Sequence, residues 1–433
     1  MSMVVTNLDW RQLYTFASRQ ALLGFCFDGI ERLTKDFSEE LKQNPMGRDL
    51  LMTWMGASQQ IHRQNMKVNA VAGKLFSVLR EDGLRCCVLK GQGNALMYPN
   101  PYSRTPGDID VWVNANRKII MKYASNKFKL EDDIRLQHVE TAVDGVPVEL
   151  HFFPCTINNP IHNARLQKWF TRNADLQCSN VVSLPDGIGE IAIPTTAFNV
   201  VYQLTHLYHH FFDEGIGMRQ IIDYYYVVCD FYKVYQNSSK THPSSLTLKG
   251  GSTSTPSPSS SEGGDVTALR CSEPLRSKDG GPSKVSPGCA GWDRLDGSGD
   301  MTSDASASSA STTDSSASTA LDVVQSDLKH LGFWKFAGAV MYVLHETLGL
   351  SEEKMIAPMD EKRGKLLLAE ILNGGNFGQH FTKYGHFTQQ GMAKKYFLKI
   401  WRNMHFVRYY PAEALCEPIF RTWHFFWRMK NKK

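Results

Sequence analysis

The order of apolar and polar positions along the chain predicts a short β-rich segment between helical regions. Apolar residues recur three and four positions apart in 8–41 and 59–80, which places them on one face of a helix. The pattern changes at Cys86-Cys87-Val88-Leu89, an apolar run of the length of a buried strand. Helical spacing dominates again from residue 161 and, after a polar interruption, returns at Leu321.

Two further runs, 135–143 and 146–152, have the composition of strands and are separated by Asp144-Gly145. This dipeptide is a strong signal for a tight hairpin. Side chains two positions apart on a strand share a face, so Glu149 and His151 lie together. His151 could contact phosphate, support a metal ligand or serve only as a packing residue.

Gly107 precedes another short apolar run that carries Asp108 and Asp110. On a strand their Cα atoms would lie roughly 6.5 Å apart on one face. Two carboxylates so close repel each other unless cations lie between them, and a pair of Mg²⁺ ions is bound in this way in two-metal sites. Glu149 on a neighbouring strand would complete an oxygen-rich site. Taken alone, Asp-x-Asp also fits two ordinary surface acids.

A glycine-rich turn, Lys90-Gly91-Gln92-Gly93, follows the first predicted strand and precedes a helical pattern. A strand, a glycine-rich turn and a helix together offer backbone N–H groups to phosphate oxygens. Lys90 and Arg104, which lies in a proline-marked loop, are candidate phosphate contacts.

A histidine-rich segment predicts a further part of the site. His206, His209 and His210 share one helix face, and Arg219 and Asp223 lie one turn apart on the next predicted helix. Asp223 could orient Arg219 towards phosphate or an acceptor, but the spacing also fits a surface ion pair. A zinc site formed by the histidines is a third alternative, although no His-Glu-x-x-His or paired Cys-x-x-Cys motif is present.

Composition limits the class of protein. The 433 residues are 42% hydrophobic, which is ample for a core, and the net charge of +5 does not indicate nucleic-acid binding. Nine cysteines without regular spacing favour a reducing compartment, and no apolar run is long enough to span a membrane, so a cytoplasmic location is predicted. Residues 237–320 are rich in Ser, Thr, Gly and Pro, with Trp292 as their one aromatic residue, and are predicted to be disordered.

Together these motifs resemble the nucleotidyltransferase superfamily of the DNA polymerase β type, in the minimal form of an uncharacterised bacterial family. The resemblance is carried by Leu89-Lys90-Gly91, Tyr98-Pro99, Arg104 with Gly107-Asp108-Ile109-Asp110, and Glu149-Leu150-His151. The turn departs from the wider superfamily, which usually has Gly-Ser or Gly-Gly where this chain has Lys-Gly-Gln-Gly.

The resemblance implies three groups of site residues: Asp108, Asp110 and Glu149 as catalytic metal ligands; Lys90, Gly91, Arg104, Gly107 and Arg219 at the nucleotide; and His151, His206, His210 and Asp223 beside these residues or at the acceptor. The implied activity is transfer of a nucleoside monophosphate from a triphosphate such as ATP to an unidentified hydroxyl, with release of pyrophosphate and two Mg²⁺ or Mn²⁺ ions as cofactors.

The predicted fold class is α+β, with a small mixed sheet flanked by N- and C-terminal helical regions. The predicted divisions are a helical region at 1–84, a nucleotidyltransferase core at 85–160, a helical region at 161–236, a disordered insert at 237–320 and a helical region at 321–433. The aromatic-rich stretch 401–427 is predicted to be helix core, with a membrane-surface or partner-docking role as the alternative. Two other functions fit the motifs: an antitoxin-like or regulatory binding module that keeps the fold, and a metal-dependent phosphohydrolase with histidine ligands.

Overall fold

The computed structural model describes residues 6–131, 135–240, 320–381 and 392–431. Most of the predicted insert, 241–319, lies outside these residues. The division of the chain into domains at 84, 160 and 236 stays a prediction.

Helices precede, interrupt and follow a small sheet. The first helices are α1 (Trp10–Arg19), α2 (Leu23–Asp36), α3 (Ser38–Gln43) and α4 (Arg48–Glu81). The segment with the sheet contains β1 (Cys86–Val88), α5 (Gln92–Ala95), β2 (Ile109–Val113), α6 (Arg117–Lys127), β3 (His138–Val143) and β4 (Val146–His151). It is followed by α7 (Pro160–Ser179), β5 (Val181–Ser183), β6 (Glu190–Ala192), α8 (Thr196–Asp213) and α9 (Met218–Lys240). The C-terminal helices are α10 (Ala320–Leu331), α11 (Trp334–Leu348), α12 (Glu361–Gly374), α13 (Met392–Met404), α14 (Pro411–Ala414) and α15 (Glu417–Asn431).

The main sheet is mixed, as predicted. Its strand order is β1-β2-β4-β3, with β2 and β4 parallel and the other two pairs antiparallel. The predicted hairpin is confirmed, since Asp144 and Gly145 join β3 to β4 with φ angles of 50° and 73°. Two consecutive positive φ angles are those of a type I′ turn, whose twist matches that of the strands.

Period-two alternation gives this sheet one apolar face and one polar face. Val111, Val148 and Leu150 point to a core that they share with α4 residues such as Leu75 and Leu79. The opposite face carries Asp110, Glu149 and His151. The sheet is therefore held from behind by α4, while its polar face is directed towards the following helices.

Helices on both sides of 241–319 pack into one core. Trp112 joins the sheet to this core by stacking on Phe198 of α8, with ring centroids 6.2 Å apart. Residues of α8, α9, α11 and α12 belong to the same hydrophobic cluster. The α+β fold class is therefore confirmed, and none of the described helices is both long and apolar enough to cross a membrane.

The aromatic stretch 401–427, which was predicted to be helix core, is only partly buried. Phe406 and Tyr410 are buried, but Trp401, Trp423 and Phe426 are at least half exposed. The reason is the helical period, which turns only one side of α15 towards the protein and leaves the other side, also apolar in sequence, facing outwards.

Candidate functional site

Three carboxylates meet where β2 and β4 run side by side. The parallel register pairs Asp110 with Glu149, and Asp108 precedes β2 by one residue. Asp110 is buried, Glu149 is half-buried and Asp108 is exposed. One ligand atom from each residue lies within 4.8 Å of the others, so the three residues could hold a metal ion together.

Two cationic side chains neutralise the buried member of this group. The Nζ of Lys90 lies 2.9 Å from Asp110 Oδ1, and the Nε2 of His151 lies 3.1 Å from the same oxygen. His151 Nε2 is also 3.0 Å from Glu149 Oε2. His151 therefore bridges two of the three candidate metal ligands.

The pKa values of the two aspartates are shifted in opposite directions. Repulsion by Asp110, followed by partial desolvation beside this residue, raises the pKa of Asp108 to about 6. Burial alone would raise the pKa of Asp110, but Lys90 and His151 lower it well below its usual value. Burial would lower the pKa of His151, yet its hydrogen bonds to Asp110 and Glu149 raise it to about 9. Asp110 is thus ionised at any ordinary pH, whereas the charge on Asp108 is costly.

The edge strand β3 adds residues that were not predicted. His138 lies opposite His151 in the antiparallel register, and Glu140 lies opposite Glu149. His138 Nδ1 is 3.2 Å from Glu149 Oε2, and its Nε2 is 3.1 Å from Glu140 Oε1. His138, Glu149 and His151 form a second group of atoms that could hold a metal ion. A signal was present, since His138 and Glu140 are two positions apart on a run predicted to pair with 146–152.

The glycine-rich turn closes the other side of the carboxylate group. Gly91 has a φ of +52°, which side chains rarely tolerate, and a Cβ there would lie 3.7 Å from the backbone oxygen of Asp108. A small cavity of about 50 Å³ begins at this turn. Its lining includes the residues predicted to contact nucleotide, namely Lys90, Gly91, Arg104, Gly107 and Arg219.

The predicted pairing of Asp223 with Arg219 is wrong. Asp223 instead accepts two hydrogen bonds from Arg104, at 2.7 and 2.8 Å, and one from the Tyr98 hydroxyl at 2.7 Å. Arg104 reaches the carboxylate from the facing loop, where a bidentate geometry satisfies both oxygens. The alternative of a surface ion pair is also wrong, because Arg219 and Asp223 are buried.

Arg219 is consequently available to the small cavity. Its Nη1 donates to the Thr105 carbonyl at 3.0 Å, and within the described part of the chain its buried Nε has no hydrogen-bond partner. Burial, and then the nearby Arg104, lower the pKa of Arg219, although a guanidinium remains charged near neutral pH. A buried guanidinium with an unused donor is suited to an anion.

The histidine-rich helix α8 lies over the polar face of the sheet. His206 Nε2 is 3.1 Å from Lys90 Nζ, and burial followed by this lysine lowers the pKa of His206 well below its usual value. His209 and His210 line a second, larger cavity of about 410 Å³. In the described ranges, the groups suited to one metal ion come from the sheet, so the zinc site predicted as an alternative from the three histidines does not form.

The C-terminal helices complete the larger cavity with residues that carry no recognisable motif. Phe420, Arg421 and His424 of α15 form one wall. Phe377 borders both cavities, with a φ of 51° that is unusual for a bulky residue. The Arg219 guanidinium lies over its ring at 5.5 Å. Such a backbone strain at a ligand-sized cavity is typical of functional sites.

Comparison with protein families identifies a family for this chain. A family model described as "Uncharacterised nucleotidyltransferase" covers residues 6–234, just over half of the chain. The match contains every site residue predicted from the sequence, whereas Phe377 and the α15 wall of the larger cavity lie outside it. No curated protein matches the chain.

Proposed function

We propose, since the chain belongs to the uncharacterised nucleotidyltransferase family, that it transfers a nucleoside monophosphate from a nucleoside triphosphate to a hydroxyl-bearing acceptor and releases pyrophosphate. The observation that carries the proposal is the parallel register that sets Asp110 beside Glu149, with Asp108 at the entry to the strand. Two adjoining cavities share Lys90, Asp108 and Asp110, which gives separate places for two substrates.

The donor set fits hard divalent cations. Asp108, Asp110 and Glu149 offer carboxylate oxygens within 4.8 Å of one another, the ligand type that Mg²⁺ and Mn²⁺ prefer. When bound, two such ions would neutralise phosphate charge and increase the nucleophilicity of the attacking oxygen.

The small cavity is the proposed site of phosphate groups of the triphosphate. Arg219 and Lys90 would bind phosphate oxygens by charge-assisted hydrogen bonds, and the Gly91 turn would let the backbone approach them closely. Two hydrogen bonds to Asp223 hold the Arg104 side chain in place. Its positive charge would add to the electrostatic field at the phosphates. The acceptor oxygen forms a bond to the α-phosphorus, the bond to the departing pyrophosphate breaks, and Glu149 receives the hydroxyl proton.

The larger cavity is the proposed acceptor site. The two arginines of its lining are each paired with an acid of the same lining: Arg421 lies 2.9 Å from Asp213, and Arg135 lies 3.1 Å from Glu140. This internal balance favours an uncharged acceptor that both donates and accepts hydrogen bonds.

The cysteines described are free thiols, which favours a reducing compartment such as the cytoplasm.

A second candidate function is metal-dependent hydrolysis of phosphate esters. It is favoured by the group His138, Glu149 and His151, because imidazoles suit zinc better than magnesium. The transferase is favoured by the cluster of Asp108, Asp110 and Glu149, and by the adjoining small cavity with its cationic side chains.

The experiment that tests the proposal presents the four ribonucleoside triphosphates to the full-length protein. Thermal stabilisation that needs both Mg²⁺ or Mn²⁺ and a triphosphate, together with pyrophosphate release on addition of small-molecule extracts, is the expected result. Zinc-dependent cleavage of a phosphate ester would favour the hydrolase. No response to either ligand would favour a binding module and contradict the transferase.

A further inference from the structure

The last helix, α15, has two sides with different surroundings. Phe420, Arg421 and His424 face the larger cavity. On the other side, large apolar side chains are exposed to solvent: the exposed fractions are Ile419 71%, Trp423 50%, Phe425 52%, Phe426 62% and Met429 60%. These residues form a continuous apolar arc at helical spacing, here called the outer face of α15. An apolar patch of this kind marks an interaction surface.

The helix α13, which contacts α15, extends the apolar surface. Phe397, Trp401 and Met404 follow one another at four and three positions, and their exposed fractions are 70%, 50% and 49%. Two neighbouring helices therefore present aromatic and aliphatic side chains outwards.

The same part of the chain concentrates positive charge. Residues 392–433 contain six lysines, four arginines and two glutamates, a formal net charge of +8, whereas the whole chain has +5. Both glutamates, Glu413 and Glu417, are only 1% exposed. Of these cations, Arg402 is buried, and Lys399 and Arg421 pair with Asp213. Lys394, Arg408 and Lys430 are exposed. The exposed surface of these helices therefore combines apolar side chains with cations.

We propose that the outer face of α15 docks on an anionic lipid surface. An amphipathic helix with Trp and Phe on one side, and with Lys and Arg close by, lies in the interface of a membrane with its apolar side among the acyl chains. Cations attract the anionic headgroups, and tryptophan is favoured at the headgroup level. The docked orientation leaves the inner side of α15 on the larger cavity.

Lipid fits this face better than the other cationic-surface ligand, a single-stranded nucleic acid. Nucleic-acid surfaces use separate aromatic rings along a basic groove, on which bases stack. Ile419 and Met429 offer no ring for stacking, and the face of a single helix is convex rather than grooved. Acyl chains, in contrast, accept aliphatic and aromatic side chains alike.

The test is co-sedimentation of the full-length protein with vesicles of phosphatidylcholine alone or of phosphatidylcholine with phosphatidylglycerol. The double variant Trp423→Ser/Phe426→Ser removes two apolar groups from the outer face. The matched control, Ile161→Ser/Leu176→Ser, alters two exposed apolar residues on α7, 64% and 60% exposed. All four side chains are exposed, so circular dichroism melts should agree with wild type.

We expect wild type and the α7 control to bind the anionic vesicles, more weakly at high salt, and to bind phosphatidylcholine poorly. The α15 variant should bind the anionic vesicles at least about tenfold more weakly, since two large apolar side chains would no longer be buried among the acyl chains. Three results would overturn the proposal: no binding of wild type to anionic vesicles, equal binding of the α15 variant, or a dimer in light scattering that this variant dissociates. The proposal would also be overturned if wild type bound single-stranded RNA but no vesicles, and if the α15 variant lost this RNA binding.

Discussion

The two cavities that meet at Asp110 differ in the kind of positive charge they present. The small cavity has guanidinium groups, of which Arg104 is fixed by Asp223 through two hydrogen bonds. In the larger cavity, the guanidinium groups of Arg135 and Arg421 are paired with Glu140 and Asp213. Imidazoles lie at its carboxylates, where His138 and His151 both contact Glu149. Guanidinium groups keep their charge, whereas imidazoles can lose a proton or bind a metal ion.

This difference indicates separate roles for the two sides. A site for a triphosphate needs a permanent positive field, and it is best built before the ligand arrives because reorganisation then costs little. A site where metal ions and a proton are exchanged needs groups whose charge can change. The following predictions test this division, beginning with the carboxylates that both cavities share.

Among the residues tested, the carboxylates where the two cavities meet should have the largest effect on activity. Asp108→Asn should lower nucleotidyl transfer by at least about a thousandfold, because charge stabilisation of the reacting phosphate depends on them. The measurement is metal-dependent pyrophosphate release. The exposed Asp175, in an ion pair with Arg85, provides the control Asp175→Asn, which should keep full activity.

Replacing Asp108 and replacing Asp110 should change the stability of the folded protein in opposite directions. The pKa of Asp108 is raised in the folded state, so the folded protein pays a penalty for its charge that appears as pH rises above about 4 and is complete above about 6. Asp108→Asn should therefore stabilise the metal-free protein at pH 8 by up to about 1 kcal/mol, since solvent screens this exposed residue, and not at pH 4. Asp110→Asn should instead destabilise the protein, because Lys90 and His151 lose their anionic partner. Equal melting temperatures for both variants would contradict this assignment of charges.

Arg219→Ala tests the permanent field of the small cavity. We expect the Kd for a triphosphate to rise about 10- to 100-fold, the loss of one or two charge-assisted hydrogen bonds, while nucleoside affinity stays unchanged. Isothermal titration of both ligands gives the comparison. Arg172→Ala, at an exposed arginine 3.8 Å from Asp327, is the control. Equal losses for nucleoside and triphosphate would assign Arg219 a structural role.

What the sequence could predict depends on whether a residue lies on a regular strand. The strand period was enough to place Asp108 with Asp110, and Glu149 with His151, and the Asp144-Gly145 turn placed the second pair on a hairpin. The partner of Asp223 was missed because Arg104 approaches from a loop 119 positions away in the chain. Phe377 and the α15 wall were missed for the same reason: helix packing, rather than any local pattern, brings them to the cavity.

His138→Ala tests whether the imidazole side selects among metal ions. Imidazole nitrogen is a better ligand for Mn²⁺ or Zn²⁺ than for Mg²⁺, and loss of a supporting ligand typically costs about tenfold or more in affinity. We therefore expect about a tenfold weaker affinity for Mn²⁺ and little change for Mg²⁺, measured by titration followed by electron paramagnetic resonance and calorimetry. The exposed His330 on α10 provides the control His330→Ala. An equal loss for Mg²⁺ would mean that His138 supports the carboxylates rather than a metal ion.

The smallest expected effect concerns the support of the larger cavity. Buried Glu413 accepts hydrogen bonds from the backbone N–H groups of Asn158, at 2.6 Å, and Asn159, at 3.1 Å, and Asn158 lines this cavity. Burial raises the pKa of Glu413 to about 7, although these two hydrogen bonds oppose the shift. Because the folded state binds the proton more tightly than the unfolded state, stability should fall as pH rises from about 4.5 to about 7.

Glu413→Gln should remove this pH dependence, since an amide oxygen still accepts a hydrogen bond and no charge is buried. At pH 8 the variant should be more stable than wild type by about 1 kcal/mol, and at pH 4.5 it should have no advantage. Thermal melts across this range provide the measurement, and Glu361→Gln, at an exposed ion pair with Lys365, should match wild type throughout. Triphosphate affinity should be unchanged in Glu413→Gln, because the small cavity is held by Arg104 and Asp223 instead. A stability difference between wild type and Glu413→Gln that does not change between pH 5 and pH 8 would show that the carboxyl of Glu413 keeps an ordinary pKa.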